Sequence, residues 1–63
     1  MLSLNFYMKK IDGCDLGTLK IGGRAIVYMD GRRYLTSPIT DYFVAGGIVR
    51  IHTANSVYST KED

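Results

Sequence analysis

Seven cationic residues, Lys9, Lys10, Lys20, Arg24, Arg32, Arg33 and Arg50, alternate along this chain with Tyr7, Tyr28, Tyr34, Tyr42, Phe43 and Tyr58. Guanidinium groups hold phosphates, and aromatic rings stack on unpaired bases, so this interleaving suits a surface that contacts single-stranded nucleic acid. Arg24, Tyr28, Arg32, Arg33, Tyr34 and Arg50 are the candidate residues for it. The same residue types also favour strands, and arginine stacks on rings for packing alone. The net charge of +2 permits nucleic-acid contact without demanding it. Without Lys61, Glu62 and Asp63, seven basic and four acidic residues remain, a charge of +3.

The other chemical candidates are sparser. Asp12 and Asp15 flank Gly13 and Cys14, and two carboxylates with a thiol could hold a divalent ion beside a phosphate in an oligomer. They are the only weak catalytic candidates, for a metal-assisted nuclease, and Asp12-Gly13 also reads as a plain turn. Asp41 and His52 could form a charge-assisted pair, with Ser37, Ser56 or Thr53 as generic nucleophiles, but a structural cross-strand pair is the simpler reading. Cys14 has two aspartates beside it, which raise a thiol's pKa and make it a poor nucleophile. Gly22-Gly23-Arg24 lacks the following helix of a phosphate loop. With one histidine and one cysteine, no zinc site of the usual kind fits within one chain. No metal, no cofactor and no small-molecule substrate is expected, and an enzyme is the less favoured reading.

The elements that must carry these residues are strands. Asp30-Gly31, Gly46-Gly47 and Asn55-Ser56 each separate short runs rich in β-branched and aromatic residues, which predicts hairpins. Leu2, Leu4, Phe6 and Met8 alternate with polar or amphipathic neighbours, a period-two strand. Leu16 to Ile21 reads as a weaker strand, ended or bent by Gly22-Gly23. Arg24 to Met29 and Arg32 to Ser37 form one hairpin, Thr40 to Ala45 and Ile48 to Thr53 the next, and Val57 to Thr60 a last short strand. Pro38 marks a corner or an edge. No stretch has the three-four spacing of a ten-residue amphipathic helix.

Two-residue loops set cross-strand partners. Ile26 faces Leu35, Val27 faces Tyr34 and Tyr28 faces Arg33. Val44 faces Val49, Phe43 faces Arg50, Tyr42 faces Ile51 and Asp41 faces His52. If Gly22-Gly23 is a third tight turn, Leu19 faces Ile26. One face then carries Leu19, Ile26 and Leu35, and the other carries Ala25, Val27 and Tyr34. Both are apolar, whereas an open antiparallel sheet keeps one polar face in water. The expected fold is therefore all-β, a highly curved antiparallel meander or SH3-like barrel of five to seven short strands. Residues 1–60 form the single domain and 61–63 a frayed polar tail. A chain of 63 residues has a marginal core, and without a disulfide a second copy is the expected source of extra stability. A homo-oligomer is thus expected. The lone thiol and the lack of a leader or a roughly 20-residue apolar span point to the cytoplasm and away from membranes.

From Gly31-Arg32-Arg33-Tyr34-Leu35-Thr36-Ser37-Pro38-Ile39 through Val49 and Thr53-Ala54-Asn55-Ser56-Val57-Tyr58, the chain resembles short prophage-encoded β-proteins. The shared pattern is a glycine-led basic strand, a Thr-Ser corner, a second hairpin, then Thr, Asn and Tyr. It covers less than half the chain. The resemblance implies an interaction protein of a mobile element, of which some act as anti-CRISPR inhibitors. Its partner would be DNA or a DNA-bound nuclease, in counter-defence or regulation. A pure protein-binding module is the alternative. The strand layout is also similar to the sheet of coactivator-type single-strand-DNA-binding proteins, which dimerise; those carry a helix after the sheet that is not expected here, so their dimer contact and DNA groove do not carry over.

Overall fold

The computed structural model describes residues 7–61. The expected strand over Leu2 to Met8 therefore lies largely outside the described residues. Its end belongs to β1, Tyr7–Lys10. Six further strands follow: β2 (Gly13–Cys14), β3 (Ile26–Met29), β4 (Arg32–Leu35), β5 (Ile39–Ala45), β6 (Ile48–Thr53) and β7 (Ser56–Ser59). Among the described residues they form two sheets, ordered β1-β7-β6-β5 and β2-β3-β4, and no closed barrel. The fold is all-β, as expected. No helix among the described residues is long and apolar enough to cross a membrane.

Both central hairpins follow from their turn residues. Asp30 and Gly31 have φ of 53° and 77°, and Gly46 and Gly47 have 58° and 79°. Two consecutive positive φ angles define the type I′ turn, whose twist matches that of the flanking strands. Every expected pair around them is present, from Ile26↔Leu35, Val27↔Tyr34 and Tyr28↔Arg33 to Asp41↔His52, Tyr42↔Ile51, Phe43↔Arg50 and Val44↔Val49.

Elsewhere the chain departs from expectation. Leu16–Thr18 is a 3-10 turn rather than a strand. Asp15 caps it, its carboxylate accepting from the Gly17 amide at 3.1 Å, and the Thr18 hydroxyl donates to the Asp15 carbonyl at 2.6 Å. These local bonds outcompete a weakly apolar ladder. Gly22-Gly23 does not close a hairpin between Leu19 and Ile26. Gly22, at φ 85°, is the third residue of a turn closed by the Gly23 amide on the Lys20 carbonyl at 2.9 Å. Beside β3 lies β2 instead, with Gly13↔Tyr28 and Cys14↔Val27. The last turn centres on Ala54-Asn55, one residue before Asn55-Ser56, because the Thr53 hydroxyl accepts from both the Asn55 and Ser56 amides. Finally, β1 pairs with β7 in parallel, Tyr7↔Ser56 to Lys10↔Ser59, so the sheets are not a pure antiparallel meander.

The core fills the space between the sheets. Ile11, Ala25, Val27, Ile39, Val49, Ile51 and Tyr58 form one buried cluster, with Cys14, Leu19 and Met29 packed against it. Ile11 joins the sheets: its own amide donates to the Ser59 carbonyl and the next amide, of Asp12, donates to Tyr28 across the gap. On the far side, the Gly22 amide and the Gly23 carbonyl both bond to the backbone of Ile39 at 2.8 Å. Thr36 closes the open end of the β3–β4 ladder. Its amide donates to the Ala25 carbonyl at 3.0 Å, and its buried hydroxyl accepts from the Ala25 amide at 3.0 Å while donating to the Ser37 carbonyl. The expected polar tail is described only at Lys61, which exchanges two hydrogen bonds with the Ser59 hydroxyl.

Candidate nucleic-acid interface

The period of two sorts β3 and β4 into two rows of side chains. Val27 is fully buried, so its row, with Cys14, Met29, Arg32 and Tyr34, faces the core. Ile26, Tyr28, Arg33 and Leu35 form the outer row. All four residues of β4 are exposed, because β4 is an edge and overhangs the core. On the outer face Arg33 sits directly opposite Tyr28, and on Tyr28's other side lies Gly13. A Cβ at Gly13 would stand 4.0 Å from the Tyr28 ring, so the glycine leaves that flank of the ring uncrowded. A depression of about 340 Å³ lies along β4, lined by Ile26, Arg33, Tyr34 and Leu35.

The six candidates therefore do not form one site. Tyr28 and Arg33 share the outer face of the three-stranded sheet. Arg32 and Tyr34 project from the opposite side of the same exposed edge, and Arg24 is exposed just before β3. Arg50 lies elsewhere. It pairs with Phe43 on the outer face of the four-stranded sheet, on the other side of the core, and is half-buried. A hairpin register tells which residues face each other, but not on which side of a two-sheet stack they end.

The acidic candidates serve as structure. The Asp12 carboxylate accepts from the Asp30 amide at 3.1 Å, steadying the β3–β4 turn, and Asp15 caps the 3-10 turn. No group of three or more His, Cys, Asp or Glu side chains suited to a metal occurs among the described residues. Cys14 is half-buried, and that burial, with the Asp15 charge as a second cause, raises its thiol pKa. Asp41 and His52 are ladder partners, yet the Asp41 carboxylate turns to the Tyr42 amide at 2.9 Å. The hydroxyl of Thr53 is held by three hydrogen bonds within its own turn, one donated to the Ser56 carbonyl and two accepted. Ser37 Oγ accepts from the Asn55 side chain at 3.3 Å.

Sequence reasoning missed the apolar half of the patch. Ile26 and Leu35 were legible only as a second greasy face, and Leu35 remains 64% exposed beside Arg33. Gly13 carried no signal beyond its turn.

Compared with known protein families, with curated proteins and with solved structures, the chain matches none, and no finding links it to prophage or anti-CRISPR proteins.

Proposed function

We propose that this chain is a non-catalytic interaction protein that binds single-stranded nucleic acid on the outer face of its three-stranded sheet. The observation that carries this reading is the Tyr28–Arg33 cross-strand pair. A ring that can stack on a base stands beside a guanidinium that can hold a phosphate, and Asp15, which follows β2 opposite Ile26 on this face, accepts from the Gly17 amide. Arg24 and Arg32 add exposed positive charge at the near loop and along the edge. Arg50 and Phe43 belong to another face and are not part of this surface. The resemblance to prophage-encoded proteins would give such binding a setting: contact with DNA, or with a nuclease bound to it, in counter-defence or regulation.

Two phosphate contacts on this face, by Arg24 and Arg33, give a salt slope of about −1.4 on a single strand. Affinity should then fall about sevenfold between 50 and 200 mM salt. Fluorescence anisotropy of a labelled oligonucleotide measures this directly. Arg33→Glu and Tyr28→Ala should each weaken binding, while Lys10→Gln, on the other sheet, should not. No detectable binding at low salt, or equal binding by Arg33→Glu, refutes the reading.

A further inference from the structure

A sheet edge presents a row of unpaired amides and carbonyls, and natural proteins either protect such an edge or use it. Of the four described edge strands, β1, β5, β2 and β4, the two that belong to the tight hairpins, β5 and β4, differ in this respect. In an antiparallel ladder, backbone groups point alternately toward and away from the partner strand. Val49 bonds across to Thr60 through both its amide and its carbonyl, so its β5 partner, Val44, and by the same alternation Tyr42, turn their backbone groups outward. The Asp41 carboxylate covers the Tyr42 amide, and a register shift between Ile39 and Asp41 bends the strand just before it. Edge β5 is thus obstructed, by a charge and by a bulge.

On edge β4 no carboxylate among the described residues covers an outward amide and no register shift bends the strand, although Arg32 and Arg33 place charge along it. The Tyr28 and Ile26 carbonyls accept from Asp12 and Asp15 on the β2 side, so their partners Arg33 and Leu35 point their amides and carbonyls away from β3. Among the described residues no side chain caps those groups. Arg33 and Leu35 are two residues apart, with Tyr34 between them. A two-fold axis at Tyr34 sets each Arg33 against Leu35 of a second copy, and both pairs can exchange amide and carbonyl bonds. This single register forms about four hydrogen bonds.

We propose that β4 joins two copies of this chain, antiparallel about Tyr34, into one continuous sheet. The side chains support that register. On the outer face the long stem of each Arg33 falls against Leu35 of the other copy, at the depression lined by Ile26, Arg33, Tyr34 and Leu35, and covers the exposed leucine. No arginine meets its own copy: Arg32 falls opposite Thr36, and Tyr34 meets Tyr34. Aromatic cross-strand pairs of this kind stabilise ladders. A four-residue contact covers less than the roughly 1,200 Å² of a standard interface, so the dimer dissociates on dilution. Four arginines lie near the seam, so added salt strengthens it. Nucleic-acid binding responds to salt in the opposite sense, and this pairing does not rest on that reading.

Sedimentation equilibrium of the full chain, up to about 1 mM and at two salt concentrations, tests the proposal. The expected result is a monomer–dimer equilibrium that shifts toward dimer in high salt. Leu35→Pro deletes an outward amide and no internal bond, so it should stay folded by circular dichroism and become monomeric. In a Cys14→Ser background, Tyr34→Cys should form an intermolecular disulfide under mild oxidation, since facing residues of a non-hydrogen-bonded pair lie at about 4.5 Å between Cα atoms. Arg32→Cys should not. A monomer at about 1 mM, a dimer unaffected by Leu35→Pro in its folded form, or cross-linking through Arg32→Cys in preference to Tyr34→Cys overturns the proposal.

Discussion

Replacing Thr36 by valine tests how the candidate surface is held in place. Thr36 follows β4 directly and is buried, and it joins the strand's end to Ala25 by two hydrogen bonds, one of them through its hydroxyl. Valine keeps the shape and adds apolar character. On hydrophobicity alone it should be tolerated. It removes, however, the acceptor of the Ala25 amide, and Ala25 is itself fully buried. An unsatisfied buried amide costs about 1–3 kcal/mol, and the lost bond to the Ser37 carbonyl adds to this. Valine's extra apolar contact returns about 0.8 kcal/mol, the worth of one buried carbon. The net loss is about 2 kcal/mol. Total stability for a chain of this length is about 3–9 kcal/mol, so the loss is a large fraction. Each kcal/mol moves the melting temperature of so small a domain by about 4–8 °C, which puts the expected drop near 8–16 °C. Serine is the control: it keeps both hydroxyl bonds and loses one buried methyl, about 1 kcal/mol. The polar substitution should therefore be the milder one. Thermal and urea melts followed by circular dichroism read the order, and faster hydrogen exchange at Ala25 in Thr36→Val would locate the fault. Should Thr36→Val prove as stable as Thr36→Ser, or more so, the hydroxyl does not hold this corner.

Other outcomes follow from the same geometry. Ile51→Ala, at the fully buried centre of the four-stranded sheet, should cost about 2–5 kcal/mol and leave little folded protein in a urea titration. Asp12→Ala removes the acceptor of the Asp30 amide at the β3–β4 turn and should cost about 1 kcal/mol, by the same assay. Asp41→Ala uncovers the outward amide of Tyr42, so light scattering should show association beyond a dimer; unchanged scattering would remove Asp41's protective role. The Cys14 thiol is held above its ordinary pKa by burial and then by Asp15, so the fold favours the neutral form. That preference is fully satisfied below the unfolded thiol's pKa and turns into a penalty as pH rises through the folded value. Compared with Cys14→Ser, the native chain should lose stability on the alkaline side only, and iodoacetamide should label Cys14 more slowly than a free thiol.

What could be read from the chain depended on how local the deciding interaction was. Asp30-Gly31 and Gly46-Gly47 each fix a turn within four residues, and the turn fixes the ladder beside it, so the Tyr28–Arg33 pair is legible in the sequence. Side-chain caps are local too, but Asp15 and Thr18 won a contest that apolar spacing does not register, and Leu16 to Ile21 was misread for that reason. Thr53 moved the last turn by one residue in the same way. The parallel β1–β7 pair left no trace, because no turn joins its strands. The candidate surface was half legible. Which arginines face which rings followed from register, whereas the separation of Arg50 from Arg33 followed from the stacking of two sheets, which depends on contacts far apart in sequence.

The pairing of β1 with β7 bears on how the molecule assembles. Tyr7 meets Ser56, so closing that contact encloses nearly the whole chain in a loop, while β5, β6 and β7 meet through turns of two residues. Short-range closure is entropically cheap and quick, and long-range closure is slow. The β5–β6–β7 ribbon should zip first and offer β7 as a template, with β1 docking last. During synthesis the earliest strand therefore waits until residue 59 has left the ribosome, and a chain halted before that point would carry its first segment without a place to dock.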